Sequence, residues 1–131
     1  MEKIVYKGKL VGIKVAKLEK GSKPITADDE PLQVVGLKHP KGAYLKAHYH
    51  NSKNLIGYKV QESLFVKKGK VKLDIYGPGP KFKYLKYLYL NAGEVFILLN
   101  GGYGIHMVKD SELVEYKNGP YKNDKVLIEV K

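Results

Sequence analysis

Residues 63–76, SLFVKKGKVKLDIY, decide the fold class of this chain. Val71, Leu73 and Ile75 alternate with more polar neighbours, and this period of two predicts a half-buried β-strand. The preceding apolar run predicts another strand, and Lys68-Gly69 between them predicts a tight hairpin turn in which the glycine supplies a positive φ. The stretch therefore predicts consecutive strands and no helix.

The same pattern continues in both directions along the chain. Short runs rich in Val, Ile, Leu and Tyr are broken by Gly, Pro, Asn and Lys, and this predicts many short strands. The predicted strands are Ile4–Tyr6, Leu10–Leu18, Leu32–Leu37, Ala43–His50, Ser63–Lys67, Val71–Tyr76, Phe82–Leu90, Val95–Leu98, Ile105–Lys109, Leu113–Lys117 and Val126–Val130. Only Ile25–Glu30 predicts a helical turn, with Thr26 as its N-cap. Regularly spaced short strands indicate a sandwich or a closed barrel.

Length and composition narrow the class of protein. The 131 residues suit one domain over residues 1–131, and the 44% hydrophobic content is that of a globular protein. No apolar run approaches the ~20 residues of a membrane helix, and the N-terminus lacks a signal-peptide pattern, so we expect a cytoplasmic protein without a membrane partner. The chain has no cysteine, which excludes disulfides and thiolate metal ligands.

The net charge is +11, and every one of the 24 basic residues is lysine. Such a surface could attract a polyanion, but bidentate recognition of phosphate or guanine uses arginine, which is absent. The lysines are scattered along the strands, and the densest group lies within residues 67–72. We therefore favour a solvated lysine surface and expect no nucleic-acid partner.

His48 and His50 are the residues most indicative of function. Alternate side chains of a strand share one face, so two histidines two positions apart would point together. Paired imidazoles are good ligands for divalent transition metals, and Glu62 on the next predicted strand adds a carboxylate. The pattern predicts a site for Fe, Mn, Ni or Zn.

These residues resemble the first motif of the cupin superfamily. The matching positions are Gly42, His48, His50, Glu62 and Gly69. The resemblance implies a single-domain cupin-type β-barrel, also called a double-stranded β-helix or jelly roll, with its motif core at about residues 37–117. The spacer before Glu62 is longer than in the family, and the insertion Asn51–Val60 is expected to form a loop at the barrel mouth. Closure entropy grows slowly with length, so such a loop is tolerable.

The second cupin motif is degenerate in this chain. Gly93 and Gly101 match it, but Gly104 stands where the family has its last histidine. Either Tyr103 or His106 could take the place of that ligand. Because they are an odd number of residues apart, the alternation of a strand sends them to opposite faces. The sequence leaves this choice open.

The resemblance also implies several functions. The first is a metal-dependent enzyme of carbohydrate metabolism that acts on a small oxygenated substrate such as a sugar, with metal ligands His48, His50, Glu62 and His106. In that enzyme His106 or Tyr103 would be catalytic. A second is a non-catalytic module that binds a small molecule, and a third is a metal-free sugar isomerase or epimerase with a histidine base and Tyr103 as acid. A homodimer is expected on the resemblance and on the N-terminal strands, which are available for pairing.

Overall fold

The computed structural model describes residues 1–48, 50, 59–119 and 125–128, and in these the chain is all-β. Ten strands are formed: β1 Glu2–Tyr6, β2 Lys9–Val15, β3 Gly21–Pro24, β4 Val35–Lys38, β5 Glu62–Lys68, β6 Lys70–Tyr76, β7 Tyr84–Asn91, β8 Val95–Leu98, β9 Gly102–Met107 and β10 Glu112–Lys117. Nowhere in this part of the chain is there a helix long and apolar enough to cross a membrane.

The larger sheet has five antiparallel strands in the order β1-β2-β8-β5-β10. Strands β1 and β2 form a hairpin around Lys7 and Gly8, whose φ angles are 50° and 76°. Positive φ at both turn residues is the geometry of a type I′ turn, whose twist suits a two-residue hairpin. Glycine adopts it freely, so Gly8 favours this connection.

A three-stranded antiparallel sheet, β7-β6-β9, packs against the five-stranded sheet. Buried side chains from both sheets form the main core: Ile4, Val11, Leu64, Val66, Val71, Leu73, Ile75, Leu88, Leu90, Phe96 and Leu98. Burial of this apolar surface is the dominant force that holds the sheets together. Within the described residues no strand pairing joins these two sheets, so they are two packed layers, and β3 and β4 form a separate two-stranded sheet.

The predicted hairpin at Lys68-Gly69 is wrong, although the positive φ is right. Gly69 has a φ of 93°, but β5 pairs with β8 and β10, while β6 pairs with β7 and β9. The glycine is therefore a corner at which the chain passes from one sheet to the other. A Cβ on it would collide with the Ser111 side chain and the Asp110 carbonyl oxygen.

The outer face of the five-stranded sheet carries a second core. Its buried residues are Ile13, Val15, Ile97 and Leu99, and side chains of the segment that contains β3 and β4 pack against them. The predicted helical turn at Ile25–Glu30 is reduced to one hydrogen-bonded turn, in which the Glu30 amide donates to the Ala27 carbonyl at 3.0 Å, and Thr26 does not cap it. The Thr26 hydroxyl instead donates to the Leu32 carbonyl and accepts from the Val34 amide, both at 3.0 Å. This links the two sides of the β3–β4 connection.

Two predicted strands do not form in the described residues, and several others are shifted at their ends. In Ala43–His50, the described residues 43–48 and 50 form no strand, and all of them are exposed. A strand needs a neighbouring ladder of hydrogen bonds, and this segment lies outside every sheet. In Val126–Val130, residues 126–128 form no strand, while residues 129–130 lie outside the described residues. Most of the predicted loop Asn51–Val60, residues 51–58, also lies outside them.

Candidate functional site

Glu62 lies at the start of β5, on the strand face that builds the main core. Leu64 and Val66 on the same face are buried in that core, and alternation places Glu62 with them. The sequence explains this position, because the alternating run whose apolar residues Leu64 and Val66 enter the core begins directly after Glu62. Glu62 is half-buried, so its charge is partly removed from water.

Three further polar side chains surround Glu62, and together they form what we call the inner polar cluster: Glu62, Tyr103, Glu115 and Lys117. Lys117 on β10 is the direct cross-strand partner of Glu62, and Glu115 opposes Leu64. The Lys117 ammonium lies 3.2 Å from the Glu115 carboxylate. Tyr103 comes from β9, and its ring centroid lies 6.1 Å from that of the buried Phe96. The cluster thus joins strands of both sheets at one end of the core.

The environment of Glu62 favours its neutral form. Partial burial raises the pKa of the Glu62 carboxyl, since desolvation penalises the charged state, and the Glu115 carboxylate adds repulsion. The Tyr103 hydroxyl and the Lys117 ammonium act in the opposite direction, but the net pKa remains raised. A carboxyl with a raised pKa in a partly buried site is a candidate for proton transfer.

The Tyr103 hydroxyl is buried without a proper partner. Its oxygen is shielded from solvent, and among the described residues no acceptor or donor meets hydrogen-bond geometry. Burial raises the pKa of this phenol, and the nearby Glu62 carboxyl raises it further. Hydrogen bonding with the Glu62 carboxyl nevertheless contributes to the pKa of both groups, so Glu62 is the polar neighbour of this hydroxyl although the pair falls outside strict hydrogen-bond geometry. The two groups form a shielded polar pair at the edge of the core.

His106 lies on the opposite face of β9 from Tyr103, as the alternation of side chains requires. Its Nε2 atom lies 2.6 Å from a carboxylate oxygen of Asp74 on the neighbouring strand β6. The His106 side chain is 60% exposed and points away from the core. The structure therefore does not bring His106 to Glu62.

His48 and His50 lie together in the exposed segment before β5. Their ring centroids are 5.3 Å apart, and the rings meet edge to face. The Nδ1 atom of His48 is 2.9 Å from the Lys46 carbonyl oxygen, so the hydrogen on that nitrogen donates to the carbonyl. This leaves one nitrogen of His48 available to a ligand.

The predicted site residues thus fall into separate groups. The structure brings His48 to His50, and Glu62 to Tyr103, but it places His106 beside Asp74 on an outer surface. Across the described ranges, no three side chains of His, Cys, Asp or Glu gather into a group that could hold a metal ion. The metal centre remains a prediction.

Sequence reasoning missed Glu115 and Lys117. Their alternation with Leu113, which packs against the core, shows that they share its face of β10. That signal was present in the chain. What placed them beside Glu62 was the register of β10 on β5, which couples residues far apart in sequence.

Comparison with known proteins returns no match: no protein-family model, no curated protein and no solved structure corresponds to this chain. The cupin resemblance accordingly stays a prediction. The class that the described residues define is an all-β protein of two packed sheets with a polar cluster at one end of its core.

Proposed function

We propose that this protein is a metal-binding cupin that takes a small oxygenated ligand, such as a sugar derivative, at the inner polar cluster. His48, His50 and Glu62 would hold a divalent transition metal. A closed jelly roll and a homodimer belong to the same proposal; they rest on the sequence resemblance and, for the dimer, also on the N-terminal strands. A cytoplasmic location is proposed with them. The observation that carries the proposal is the proximity of the shielded Tyr103 hydroxyl to the half-buried Glu62 carboxyl, whose pKa is raised.

The separation of the two histidine rings equals that of two imidazoles on one metal. Two imidazoles on one tetrahedral zinc, with Zn–N distances of about 2.0–2.1 Å, have ring centroids roughly 5 Å apart, and His48 and His50 have a separation of 5.3 Å. The bond from His48 Nδ1 to the Lys46 carbonyl is the kind of outer contact that fixes the tautomer of a metal-binding histidine. Both features support binding by this pair.

Glu62 fits as a third donor by its chemistry. Its carboxylate is partly desolvated and faces a second carboxylate, that of Glu115, and a nearby cation would relieve both penalties. The proposal requires the segment that carries the histidines to approach the open end of the core. The donor set of two imidazoles and a carboxylate suits Fe, Mn, Ni or Zn.

Within the proposed site each residue has a distinct role. The metal supplies Lewis-acid polarisation of a ligand oxygen when bound. The Tyr103 hydroxyl, which lies beside the Glu62 carboxyl, would donate a hydrogen bond to a ligand oxygen bound at the cluster. Lys117, cross-strand to Glu62 and 3.2 Å from the Glu115 carboxylate, places positive charge beside the two carboxylates of the cluster.

Metal titration of the chelator-treated full chain tests the proposal. We expect Zn²⁺ or Mn²⁺ to bind at about one ion per chain, and the affinity to fall by at least about tenfold in a His48→Ala/His50→Ala variant and in Glu62→Gln. His39→Ala is the matched control, since that exposed histidine pairs with Ser22 at 3.0 Å. Equal affinity in the double variant and the control would contradict the histidine assignment. Unchanged affinity in Glu62→Gln alone would remove Glu62 from the ligands.

A metal-free proton transfer is the second candidate function. The observation that favours it is the raised pKa of Glu62 beside the Tyr103 phenol, an acid and base pair on the core side. With chelator present, the chain would then exchange the α-proton of a keto sugar for solvent deuterium, detected by NMR. Glu62→Gln and Tyr103→Phe should each abolish this exchange, while absence of exchange in the wild-type chain would exclude the candidate for that substrate.

A further inference from the structure

The outer face of the three-stranded sheet carries two exposed tyrosines, each with a lysine over its ring. The ammonium of Lys72 lies 4.5 Å from the ring centroid of Tyr87, and that of Lys70 lies 4.7 Å from that of Tyr89. The two rings meet edge to face with centroids 5.8 Å apart. We call these four residues the tyrosine–lysine face.

These tyrosines do not pack in the interior. Leu88 and Leu90 of β7 fill the main core, so Tyr87 and Tyr89 between and beside them point outward, with 51% and 41% of their surface exposed. Large exposed aromatic side chains that are grouped on one surface are typical of a binding site. Tyr87 and Tyr89 therefore lie on the solvent side of β7 and do not contribute to the core.

The other charged groups on this face are already compensated. Asp74, the cross-strand partner of Tyr87, lies 2.6 Å from His106 and 3.9 Å from the Lys72 ammonium. Gly104 on β9 would have open space around an added Cβ, so nothing rises above the sheet there. The face is therefore open and aromatic; Lys72 shares Asp74 with His106, and Lys70 is the lysine of the face that meets no carboxylate among the described residues.

We propose that the tyrosine–lysine face binds single-stranded nucleic acid without sequence preference. Exposed aromatic side chains on a β-sheet stack on unpaired bases, and lysines beside them contact the phosphates. An exposed cation–π contact is weak compared with base stacking, so a base can displace each lysine from its ring. The displaced ammonium remains beside the stacked nucleotide and contacts the phosphate of that nucleotide.

Charge complementarity favours single-stranded nucleic acid as the ligand of the tyrosine–lysine face. The whole chain carries +11, which attracts a polyanion from any direction, and the face adds stacking surfaces that a simple polyanion would not use. The chain has no arginine to read guanine, which predicts tolerance of sequence. Scattered lysines alone favour a solvated surface; it is the pairing of Lys70 with Tyr89 and of Lys72 with Tyr87 that changes this expectation.

Fluorescence anisotropy with a labelled oligothymidylate of about 12 nucleotides tests the proposal on the full chain. We expect Tyr87→Ala/Tyr89→Ala to weaken binding at least about tenfold at unchanged net charge, and Tyr87→Phe/Tyr89→Phe to retain it, because the rings remain. Lys70→Ala/Lys72→Ala should flatten the dependence of log Kd on log salt by about 1.4, the value for two phosphate contacts on a single strand. Circular dichroism checks that each variant is folded.

Two controls separate the face from general surface charge. Lys3→Ala/Lys9→Ala removes the same charge from the exposed β1–β2 hairpin, and Tyr116→Ala removes a tyrosine that is 57% exposed on β10. Both should bind the oligonucleotide nearly as wild type does. No binding by the wild type at low salt, or equal binding by the tyrosine double variant and Tyr116→Ala, would overturn the proposal. Tighter, tyrosine-dependent binding of a polyuronate would also overturn it and assign the face to acidic sugars.

Discussion

Replacement of Gly69 by alanine should destabilise the fold through two separable effects. The first is backbone strain: at a φ of 93° an L-residue costs about 1–2 kcal/mol more than glycine. The second is a collision of the new Cβ with Ser111. The Ser111 hydroxyl accepts from the Lys70 amide at 3.1 Å and donates to the Lys109 carbonyl at 2.8 Å, so its displacement should cost a further ~1–3 kcal/mol.

Gly93→Ala is the matched control for this prediction. Gly93 has a φ of 87°, yet a Cβ there would meet nothing within 4 Å, so only the strain of about 1–2 kcal/mol applies. Both substitutions reduce the entropy of the unfolded chain alike, and this contribution cancels in the comparison. Urea unfolding followed by circular dichroism gives the two free energies. Equal destabilisation by Gly69→Ala and Gly93→Ala would refute the collision and the corner geometry at Gly69.

Three further substitutions test the core and the polar groups. Burial raises the pKa of Glu62, so the stability that this group contributes is complete below its ordinary pKa of 4.5 and is lost as the pH rises through the raised value. Glu62→Gln should therefore increase the free energy of unfolding of the metal-free chain at about pH 8 and change it little below about pH 4, as urea unfolding at the two pH values would show. Phe96→Ala removes a side chain that is 0% exposed and should cost about 3–5 kcal/mol by the same assay, whereas a loss below ~1 kcal/mol would contradict its place in the core. His106→Ala breaks an exposed pair with Asp74 and should lower the melting temperature only slightly, for a cost below about 1 kcal/mol; a larger loss would show that His106 is structural.

The strands could be predicted because their signal is local. Val71, Leu73 and Ile75 alternate in the sequence and all three are buried in β6. The partners of each strand could not be predicted, because pairing is set by contacts between distant segments and by the covering of both sheet faces. Thus the positive φ of Gly69 was predictable, whereas its role as a corner between two sheets was not. Strand β3, Gly21–Pro24, has no apolar alternation to reveal it.

In the candidate site, too, the features with a local sequence signal could be predicted, and those set by distant strand pairing could not. His48 and His50 are close in sequence, and their rings are also close in the structure. The neighbourhood of Glu62 depends on the register of β10 and on the sheet that carries Tyr103, neither of which is written in a local pattern. Alternation predicted that Tyr103 and His106 face opposite ways. Only the structure shows that Tyr103 is the one beside the carboxyl.

Elemental analysis of the full chain, purified without an affinity tag, tests the proposed metal site most directly. It would be measured beside the His48→Ala/His50→Ala variant and the His39→Ala control. The proposal predicts about one transition metal per chain in the wild type and the control, and its loss in the double variant. A wild-type chain without bound metal, even after incubation with Fe, Mn, Ni and Zn, would contradict it.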